Sequence, residues 1–351
     1  MLIYCIKILR IVIMNILVTG GAGYVGSVVI PQLIEDGHYV KCLDRFFFGD
    51  KYLSQNQFKN KLELIRGDIR WFDSKILKNI DVVLDLAAIS NDPAGDLNPE
   101  KTYEINHKGR ARVAKLSKEQ GVKKYILASS ASIYGQQDSI ANENAEVKPL
   151  TAYSKANRNA EIDNLQLNDE NFSVTALRFS SVYGNSPRMR FDTAINVMVL
   201  DLFKNKKISV HGKSNKRPFV HIKDVVRAYQ AVINAPQEKI SGEIFNIGSE
   251  DQNFEMGNLA QEIVKHTKMK CEIELSDTND HRSYFASFEK IKGAIGYSTK
   301  YTVKEGVEEI FEELSSKRLT DTIETKTVEW YKKLLSDQIL AKDYLINDTI
   351  L

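Results

Sequence analysis

Short apolar runs alternate with stretches of helical spacing along most of the chain. Residues 15–19 form an apolar run, a glycine cluster follows, and residues 25–36 then have the spacing of an amphipathic helix. Further strand-like runs occupy 39–43, 62–65, 82–86, 124–128 and 173–177. Strands that alternate with helices in this way predict an α/β protein with a parallel sheet covered on both faces.

The pattern becomes irregular between about residues 184 and 218, where a helix over 194–203 and a strand over 208–211 are predicted. A helix over 224–235 and a strand over 243–247 then return to the main sheet. We therefore predict a main domain of residues 14–183 with about 219–250, and a smaller α/β substrate-binding lobe of 184–218 with about 251–315. Residues 316–351, rich in Lys, Asp and Thr, are predicted as a helical C-terminal segment that ends in a loose tail.

Residues 1–13 are apolar but include Lys7 and Arg10, and are shorter than the roughly 20 residues that a membrane span needs. They lack a small-residue cleavage site, and Met14 is a more natural start, so we expect an N-terminal extension rather than a targeting segment. The chain has 48 basic and 46 acidic residues, which predicts neither a nucleic-acid-binding nor a membrane surface. Three scattered cysteines predict no disulfide framework or metal site and favour a reducing, cytoplasmic compartment.

Three glycines lie in the turn between the first predicted strand and helix, within Thr19-Gly-Gly-Ala-Gly-Tyr-Val-Gly26. Gly20 permits a tight turn, Gly23 lets backbone N–H groups approach a pyrophosphate, and Gly26 lets the helix pack against the strand. The helix N-terminus then faces the phosphates and favours their negative charge. The spacing predicts a Rossmann-type, doubly wound dinucleotide-binding sheet. The alternative is a glycine-rich turn without a ligand.

The end of the second strand indicates which dinucleotide binds. Asp44 can accept hydrogen bonds from the adenosine ribose hydroxyls and would repel a 2′-phosphate, which predicts NAD. Arg45 is adjacent and could neutralise a phosphate, which keeps NADP as the alternative. Asp68 ends the third strand, where it could hold the adenine amino group or cap a helix.

Four motifs together resemble those of the extended short-chain dehydrogenase/reductase family of nucleotide-sugar epimerases and dehydratases, over about residues 15–314. They are the glycine turn, Leu86-Ala-Ala88, Ser129-Ser-Ala-Ser-Ile-Tyr-Gly135, and Tyr153 at the start of a helix. Arg217-Pro-Phe-Val-His-Ile-Lys-Asp224 is similar to a later signature of the family, in which the arginine meets the nucleotide diphosphate.

The resemblance implies roles for individual residues. Tyr153 would accept the sugar hydroxyl proton while hydride passes to NAD, and Ser130 would hydrogen-bond the same oxygen. It also implies a homodimer formed through the helices at about 99–120 and after Tyr153. The residues implied or predicted to contact NAD are Gly20, Gly23, Tyr24, Val25, Gly26, Asp44, Arg45, Asp68, Ile69, Leu86, Ala87, Ala88, Asn106, Ser129, Tyr153 and Asn157. Those expected to contact a nucleotide-diphosphate sugar are Ser90, Ser130, Ser132, Ser181, Arg188, Arg190, Arg217 and Arg282.

This chain departs from the family pattern at the position of the lysine that usually follows the tyrosine by four residues, where it has Asn157. Lys155 lies only two residues after Tyr153, about 200° around a helix, and cannot take that place. Asn157 can hydrogen-bond a ribose hydroxyl but carries no charge to lower the pKa of the tyrosine. Asp85 is also unusual, because a carboxylate inside an apolar strand needs a partner that the sequence does not identify.

Two further departures bear on the reaction. Ala131-Ser132 stands where a 4,6-dehydratase would carry Asp-Glu, which disfavours dehydration. Ser181 replaces an asparagine of the family, so the contacts to the sugar or phosphate should differ from those of galactose epimerases. We therefore predict an NAD-dependent nucleotide-sugar epimerase, acting at C4 through a keto-sugar. The alternatives are a dehydrogenase that releases the keto-sugar, and a catalytically weak NAD-binding sensor or scaffold.

Overall fold

The computed structural model describes residues 12–54, 57–267, 269–278 and 280–351. The prediction of an N-terminal extension falls largely on residues 1–11, which lie outside the described residues. The described chain has a seven-stranded sheet in the order β10-β6-β5-β4-β1-β2-β3, in which all neighbouring strands are parallel. In this doubly wound order, β2 and β3 are added on one side of β1 and β4 on the other, so the strand order reverses between β1 and β4. The predicted α/β Rossmann-type fold is confirmed.

The strands are β1 (Asn15–Thr19), β2 (Tyr39–Asp44), β3 (Leu62–Arg66), β4 (Val82–Asp85), β5 (Lys124–Ser130), β6 (Ser173–Phe179), β7 (Ser181–Tyr183), β8 (Lys207–His211), β9 (Lys216–His221), β10 (Ile244–Ile247), β11 (Asn253–Glu255) and β12 (Glu272–Ser276). The α-helices are α1 (Gly26–Glu35), α2 (Asp92–Gly95), α3 (Pro99–Tyr103), α4 (Arg110–Glu119), α5 (Ala152–Leu165), α6 (Ala194–Asn205), α7 (Ile222–Asn234), α8 (Met256–Thr267), α9 (Glu289–Ile295), α10 (Val303–Ser315), α11 (Thr327–Ser336) and α12 (Gln338–Lys342). A π-helical turn, Glu104–Gly109, joins α3 to α4.

Apolar side chains on both faces of the main sheet explain why its strands read as nearly continuous apolar runs. One face packs against α1 and α7 through residues such as Val29 and Val232. The other face packs against α4 and α5 through residues such as Val113 and Ala160. A parallel sheet covered in this way presents the carboxyl ends of β1, β4 and β5 at a single edge, where ligands of such folds bind.

The smaller lobe has its own apolar core, built from α6, α8 and α10 around residues such as Val199 and Ile310. Its strands form a sheet in the order β11-β9-β7 and a two-stranded sheet of β12 and β8. Tyr24, which follows the glycine turn of β1, donates its hydroxyl proton to Gly184 O at 2.7 Å. The lobe is thereby joined to the edge of the main sheet that carries the glycine turn.

The C-terminal segment differs from the loose tail expected from its polar composition. Trp330, Tyr331 and Leu334 of α11 are buried against Ile89 and the aromatic side chains that follow β2. The Trp330 indole N–H donates to Phe47 O at 2.7 Å. The sequence analysis missed this because it weighed the polar composition of the segment and not the spacing of these apolar positions within α11. No described helix is long and apolar enough to cross a membrane.

Candidate active site

A cavity of about 520 Å³ lies at the carboxyl ends of the main-sheet strands and extends to the smaller lobe. Every predicted site residue lines it except Asn106 and Asn157. The chain therefore brings together the glycine turn, the Tyr153 helix and the arginines of the smaller lobe. Among the residues that the structure describes, no cluster of His, Cys, Asp and Glu has the arrangement of a metal site.

The glycine turn packs closely against the loop after β4. Gly20 has a φ of +66°, and a Cβ built there would lie 2.7 Å from the backbone of Ala87, so a larger residue would displace that loop. Helix α1 begins at Gly26 and its N-cap residue, Val25, makes no side-chain capping bond. The Ser27, Val28 and Val29 N–H groups donate to the carbonyl oxygens of Gly23 and Val25, whereas the Gly26 N–H has no hydrogen-bond partner among the described residues. The start of α1 therefore offers a pyrophosphate the Gly26 amide and the positive end of the helix dipole.

Asp44 lies beside the glycine turn at the end of β2. Its carboxylate accepts hydrogen bonds from the backbone N–H groups of Ala22, at 2.9 Å, and Phe46, at 2.7 Å. Burial raises the pKa of Asp44, although these N–H groups and Arg188 counteract the effect. A carboxylate with further acceptor capacity in a buried setting suits the two hydroxyl donors of an adenosine ribose.

Arg45, which kept NADP open in the sequence analysis, is already engaged. Its guanidinium lies 2.8 Å from Asp68 and donates to the carbonyl oxygens of Tyr344 and Thr349, each at 2.7 Å. Asp68 also binds Arg70, whose guanidinium stays within 3.0 Å of it. Arg45 and Asp68 both line the cavity. The three partners engage Nη1 and Nη2 of Arg45 and leave only its buried Nε without a hydrogen-bond partner among the described residues, which does not favour a contact with a 2′-phosphate.

Tyr153 is the second residue of α5, and Ser130 is the last residue of β5. These two adjacent elements bring both side chains to the same part of the cavity. Thr151 caps α5 by accepting from Ser154 N, which fixes where the helix starts. The hydroxyl oxygens of Ser130 and Ser132 are 2.9 Å apart. Burial and then Asp92 raise the pKa of Tyr153, whereas a hydrogen bond with Ser130 and the charges of Arg110 and Arg190 lower it.

Asn106 and Asn157 lie beneath the cavity rather than at its surface. The Asn106 side chain donates to Ile89 O at 2.9 Å and accepts from Ile89 N at 2.8 Å, so it holds the loop after β4. Asn157 is buried and donates to Tyr153 O at 3.0 Å, whereas Lys155 is exposed. The ribose contact predicted for Asn157 stays a prediction that this placement does not favour.

Two arginines from the loop before α6 are buried in the cavity wall. Arg190 pairs with Asp192 at 2.8 Å and donates to the Ser90 hydroxyl at 3.3 Å. Arg188 lies over the ring of Phe48, and its Nε and Nη1 have no hydrogen-bond partner among the described residues. Burial lowers the pKa of Arg188 to about 10, still well above neutral. A buried cation with unused donors is suited to an anionic ligand group.

Arg217 and Arg282 also line the cavity, and the Arg217 guanidinium lies over the ring of Tyr284. Arg282 contacts both Asp280 and Asp92, and Arg217 donates to Arg282 O and approaches Asp280 at 3.4 Å. The two guanidinium groups are therefore adjacent and share carboxylate partners. A diphosphate bound here would compete with Asp280 for them.

Sequence reasoning did not identify several of the contacts that form this cavity. Asp92 and Asp192 pair with its arginines, and Tyr331 and Leu351 bring the C-terminal segment to its wall. The Trp330-Tyr331 pair was a usable signal, because two adjacent aromatic residues in a charged segment favour packing against the body of the protein. Nothing in the local sequence placed Leu351 in the wall of this cavity, because its position there depends on the fold of the whole chain.

Comparison with known proteins assigns the class. A model described as the NAD dependent epimerase/dehydratase family matches residues 16–248, and the chain belongs to this family. It is 31% identical over 347 residues to dTDP-D-glucose 4,6-dehydratase of Mus musculus, covering 91% of this chain and 89% of the mouse protein. It is 28% identical over 306 residues to a putative UDP-glucose 4-epimerase of Methanocaldococcus jannaschii, covering 84% of this chain and 96% of that one.

A solved structure of MoeE5 in complex with UDP-glucuronic acid and NAD superimposes with a TM-score of 0.77 at 25% identity, covering 87% of this chain and all of that one. The protein is thus an NAD-dependent enzyme of the nucleotide-sugar epimerase and dehydratase class. The Gly26 amide at the start of α1, the carboxylate of Asp44 and the close approach at Gly20 all fit NAD.

Proposed function

We propose that this protein is a nucleotide-sugar epimerase that inverts a sugar carbon, C4, by removing and returning a hydride through a keto-sugar held in the cavity. The observation that carries the proposal is that Tyr153, Ser130 and four arginines line one cavity. The aspartate side chains that line the same cavity are all paired with N–H or guanidinium groups of the protein. The arginines are Arg188, Arg190, Arg217 and Arg282.

The residues of the chain divide the chemistry between them. Tyr153 accepts the proton of the sugar hydroxyl, and Ser130 with Ser132 hydrogen-bonds the oxygen on which the carbonyl forms. NAD would supply the hydride acceptor and, once the keto-sugar has rotated to present its opposite face, the hydride donor. Tyr153 then returns its proton to the same oxygen, so no net oxidation remains. Because NAD must stay bound between the two transfers, a site that retains it suits an epimerase.

The engagement of the carboxylates supports epimerisation over dehydration. Elimination of water needs a base to remove a carbon-bound proton and an acid to protonate the leaving hydroxyl. The position after Ser130 holds the buried methyl group of Ala131. Each carboxylate lining the cavity is bound by N–H or guanidinium groups, as follows: Asp44 by Ala22 and Phe46, Asp68 by Arg45 and Arg70, Asp92 by Arg282, and Asp192 by Arg190.

The test is a substrate panel. The purified protein is incubated with UDP-, GDP-, CDP- and dTDP-sugars, and sugar stereochemistry is followed by NMR while free NADH is monitored. Epimerisation gives an equilibrium mixture of two sugars of equal mass without NADH. Accumulating NADH with a keto-sugar would instead identify a dehydrogenase, and loss of water by mass spectrometry a dehydratase, the activity of the mouse relative.

Tyr153→Phe is expected to reduce turnover by about 10²- to 10⁴-fold, the usual contribution of a positioned acid/base group, with NAD still bound. Tyr39→Phe is the matched control, because Tyr39 is half exposed at the far end of β2. If no nucleotide sugar turns over although NAD stays bound, the proposal fails and a sensor or scaffold role is favoured.

A further inference from the structure

The catalytic helix lacks the lysine that resemblance to the family places at position 157, yet the structure puts a different cation directly behind that position. Arg110, the first residue of α4, is 1% exposed. Its Nη1 donates to Asn157 Oδ1 at 2.8 Å. Asn157 in turn donates from Nδ2 to Tyr153 O at 3.0 Å. The side chain at position 157 is therefore fixed between the guanidinium and the first turn of α5.

The other two nitrogens of the Arg110 guanidinium, Nη2 and Nε, also have hydrogen-bond partners. Nη2 donates to the carbonyl oxygens of Asp85, at 2.9 Å, and Ala128, at the ends of β4 and β5. Nε lies 3.3 Å from the Asp85 carboxylate. These partners hold the guanidinium directly beneath the cavity. Ala87, two residues after Asp85, and Ser129, the residue after Ala128, both line the cavity.

Asp85, which had no explanation in the sequence, supplies the counter-charge. It is fully buried, and its carboxylate accepts from the Thr19 hydroxyl at 2.5 Å and from the Tyr125 hydroxyl. An unpaired guanidinium or carboxylate at this depth would be strongly unfavourable, so each charge accounts for the other. The network runs from the glycine turn at Thr19, through Asp85 and Arg110, to Asn157 on the catalytic helix.

We propose that Arg110 is the positioning residue that replaces the absent lysine: through Asn157 it fixes the first turn of α5, and its guanidinium is the buried cation that favours the phenolate of Tyr153. A guanidinium keeps its proton throughout the pH range in which proteins are stable, so the charge is permanent. The guanidinium contacts Asp85 through Nε and Asn157 through Nη1, so one cation joins its counter-charge on β4 to the side chain that binds the Tyr153 carbonyl on α5.

Other charged groups also face Tyr153 and set the background against which Arg110 acts. Burial is the largest influence and raises the pKa of Tyr153, and the carboxylate of Asp92 raises it further. Arg110 and Arg190 lower it, together with the hydrogen bond to Ser130. The buried phenol of Tyr284, which lies next to Arg217, is also close enough to Tyr153 for the ionisation of one tyrosine to oppose that of the other. Arg190 is paired with Asp192 as Arg110 is with Asp85, so the effects of the two arginines on Tyr153 must be tested separately.

The inference rests on the proposed role of Tyr153, and its test includes a readout that does not require turnover. The ionisation of Tyr153 is followed in the NAD-bound protein by NMR of tyrosine labelled with ¹³C at Cζ, with Tyr153→Phe to assign the signal. Arg110→Met is expected to raise the pKa of Tyr153 by about one unit, which is a roughly tenfold loss of phenolate at neutral pH. Turnover in the acid limb of the pH profile should fall by a similar factor.

Arg110→Met leaves Asp85 buried without a cation and could fail to fold, so Arg110→Met/Asp85→Asn is measured in parallel. Asn at 85 keeps an oxygen that accepts from the Thr19 hydroxyl, and its Nδ2 can donate to the Tyr125 hydroxyl oxygen, whose own proton has Arg110 O as an acceptor; the pair carries no charge. Asp85→Asn alone keeps the cation and is expected not to raise the pKa of Tyr153. Arg112→Met is the matched control on α4, because Arg112 donates to Phe72 O and has no link to Asn157.

Restoring the lysine separates this role from general stabilisation. In the Arg110→Met/Asp85→Asn background, Asn157→Lys is expected to recover the Tyr153 pKa and the lost activity. In the unmodified chain the same substitution places an ammonium against Arg110 and is expected to reduce activity. An unchanged Tyr153 pKa in the folded double variant would overturn this inference while leaving the proposed function intact. Full activity of Tyr153→Phe would overturn the proposed function itself.

Discussion

Arg45 Nη1 lies 2.8 Å from Asp68 Oδ2, and this ion pair lines the cavity next to the C-terminal segment, where we expect the adenosine of NAD to bind. Both side chains are nearly buried, and Nη2 of Arg45 is held by two carbonyl oxygens of that segment. We therefore expect the choice of cofactor to depend on Asp44, which binds the backbone of the glycine turn at Ala22, because the Nη1 and Nη2 atoms of Arg45 are engaged elsewhere. Residues about three hundred positions apart in the chain, such as Arg45 and Thr349, cooperate in this arrangement.

Asp44→Ala is expected to weaken NAD binding by about 10- to 100-fold, because each hydrogen bond to a charged group contributes about 1.5–3 kcal/mol. It should gain no comparable affinity for NADP, since Arg45 stays paired with Asp68. Isothermal titration of both dinucleotides measures this. Asp50→Ala, an exposed change in the same loop, serves as the control. Strong NADP binding by Asp44→Ala would show that Arg45 can leave its partners.

The parts of this site that the sequence predicted are those in which neighbouring residues share one element. Gly20, Gly23 and Gly26 lie in one turn, so their spacing alone indicated a dinucleotide, and Asp44 followed from the length of a strand-helix-strand unit. Tyr153 and Ser130 came from the family resemblance and line the same cavity.

What the sequence could not supply are pairings between distant elements. Asp85 was a visible anomaly, and the missing lysine at Asn157 was another, but nothing in the chain indicated that Arg110 joins them. Their contacts span 25 and 47 residues and are made through side chains from a strand and two helices. The local sequence pattern indicates which face of a helix or strand is apolar. Which residue pairs with a buried polar side chain depends on how distant elements pack in three dimensions.

Attachment of the C-terminal segment should affect both stability and cofactor retention. Trp330→Ala removes a side chain that is 4% exposed and its hydrogen bond to Phe47 O, a loss of about 3–5 kcal/mol for a fully packed aromatic residue. We expect faster proteolysis of the segment and weaker NAD binding, because Tyr331 and Leu351 would leave the cavity wall. Thermal unfolding with and without NAD gives the measurement.

Ile339→Ala is the control for this segment, since Ile339 is 82% exposed and its loss should change neither property. If Trp330→Ala lowers the melting temperature equally with and without NAD, the segment contributes to folding but not to the cofactor site.

The predicted homodimer would use the surfaces of α3, α4 and α5. Ile162 on α5 is 40% exposed, which suits an apolar contact with a second copy of the chain. Ile162→Glu is expected to shift the mass measured by light scattering from dimer to monomer. Ile323→Glu changes a similarly exposed isoleucine, at 37%, far from these helices and should leave the mass unchanged. A monomeric mass for the unmodified chain would refute the prediction.

Stability should fall as the pH rises above about 10, because buried tyrosines retain their protons only in the folded state. Burial raises the pKa of Tyr183 and Tyr229 well above the value of about 10 in an unfolded chain. The folded-state pKa is the higher one, so the contribution is complete below pH 10 and is lost above it. Each such tyrosine removes about 1.4 kcal/mol per pH unit from the free energy of unfolding.

The two tyrosines can be distinguished by replacement with phenylalanine. The Tyr229 hydroxyl is buried without a hydrogen-bond partner among the described residues, so Tyr229→Phe should cost little at pH 7 and should flatten the alkaline loss. Tyr183 donates to Gln252 Oε1 at 2.7 Å, so Tyr183→Phe should flatten the loss but also cost about 1–3 kcal/mol at pH 7. Urea unfolding between pH 7 and about pH 11 measures both effects. An alkaline slope that neither replacement changes would mean that other groups ionise first and control unfolding.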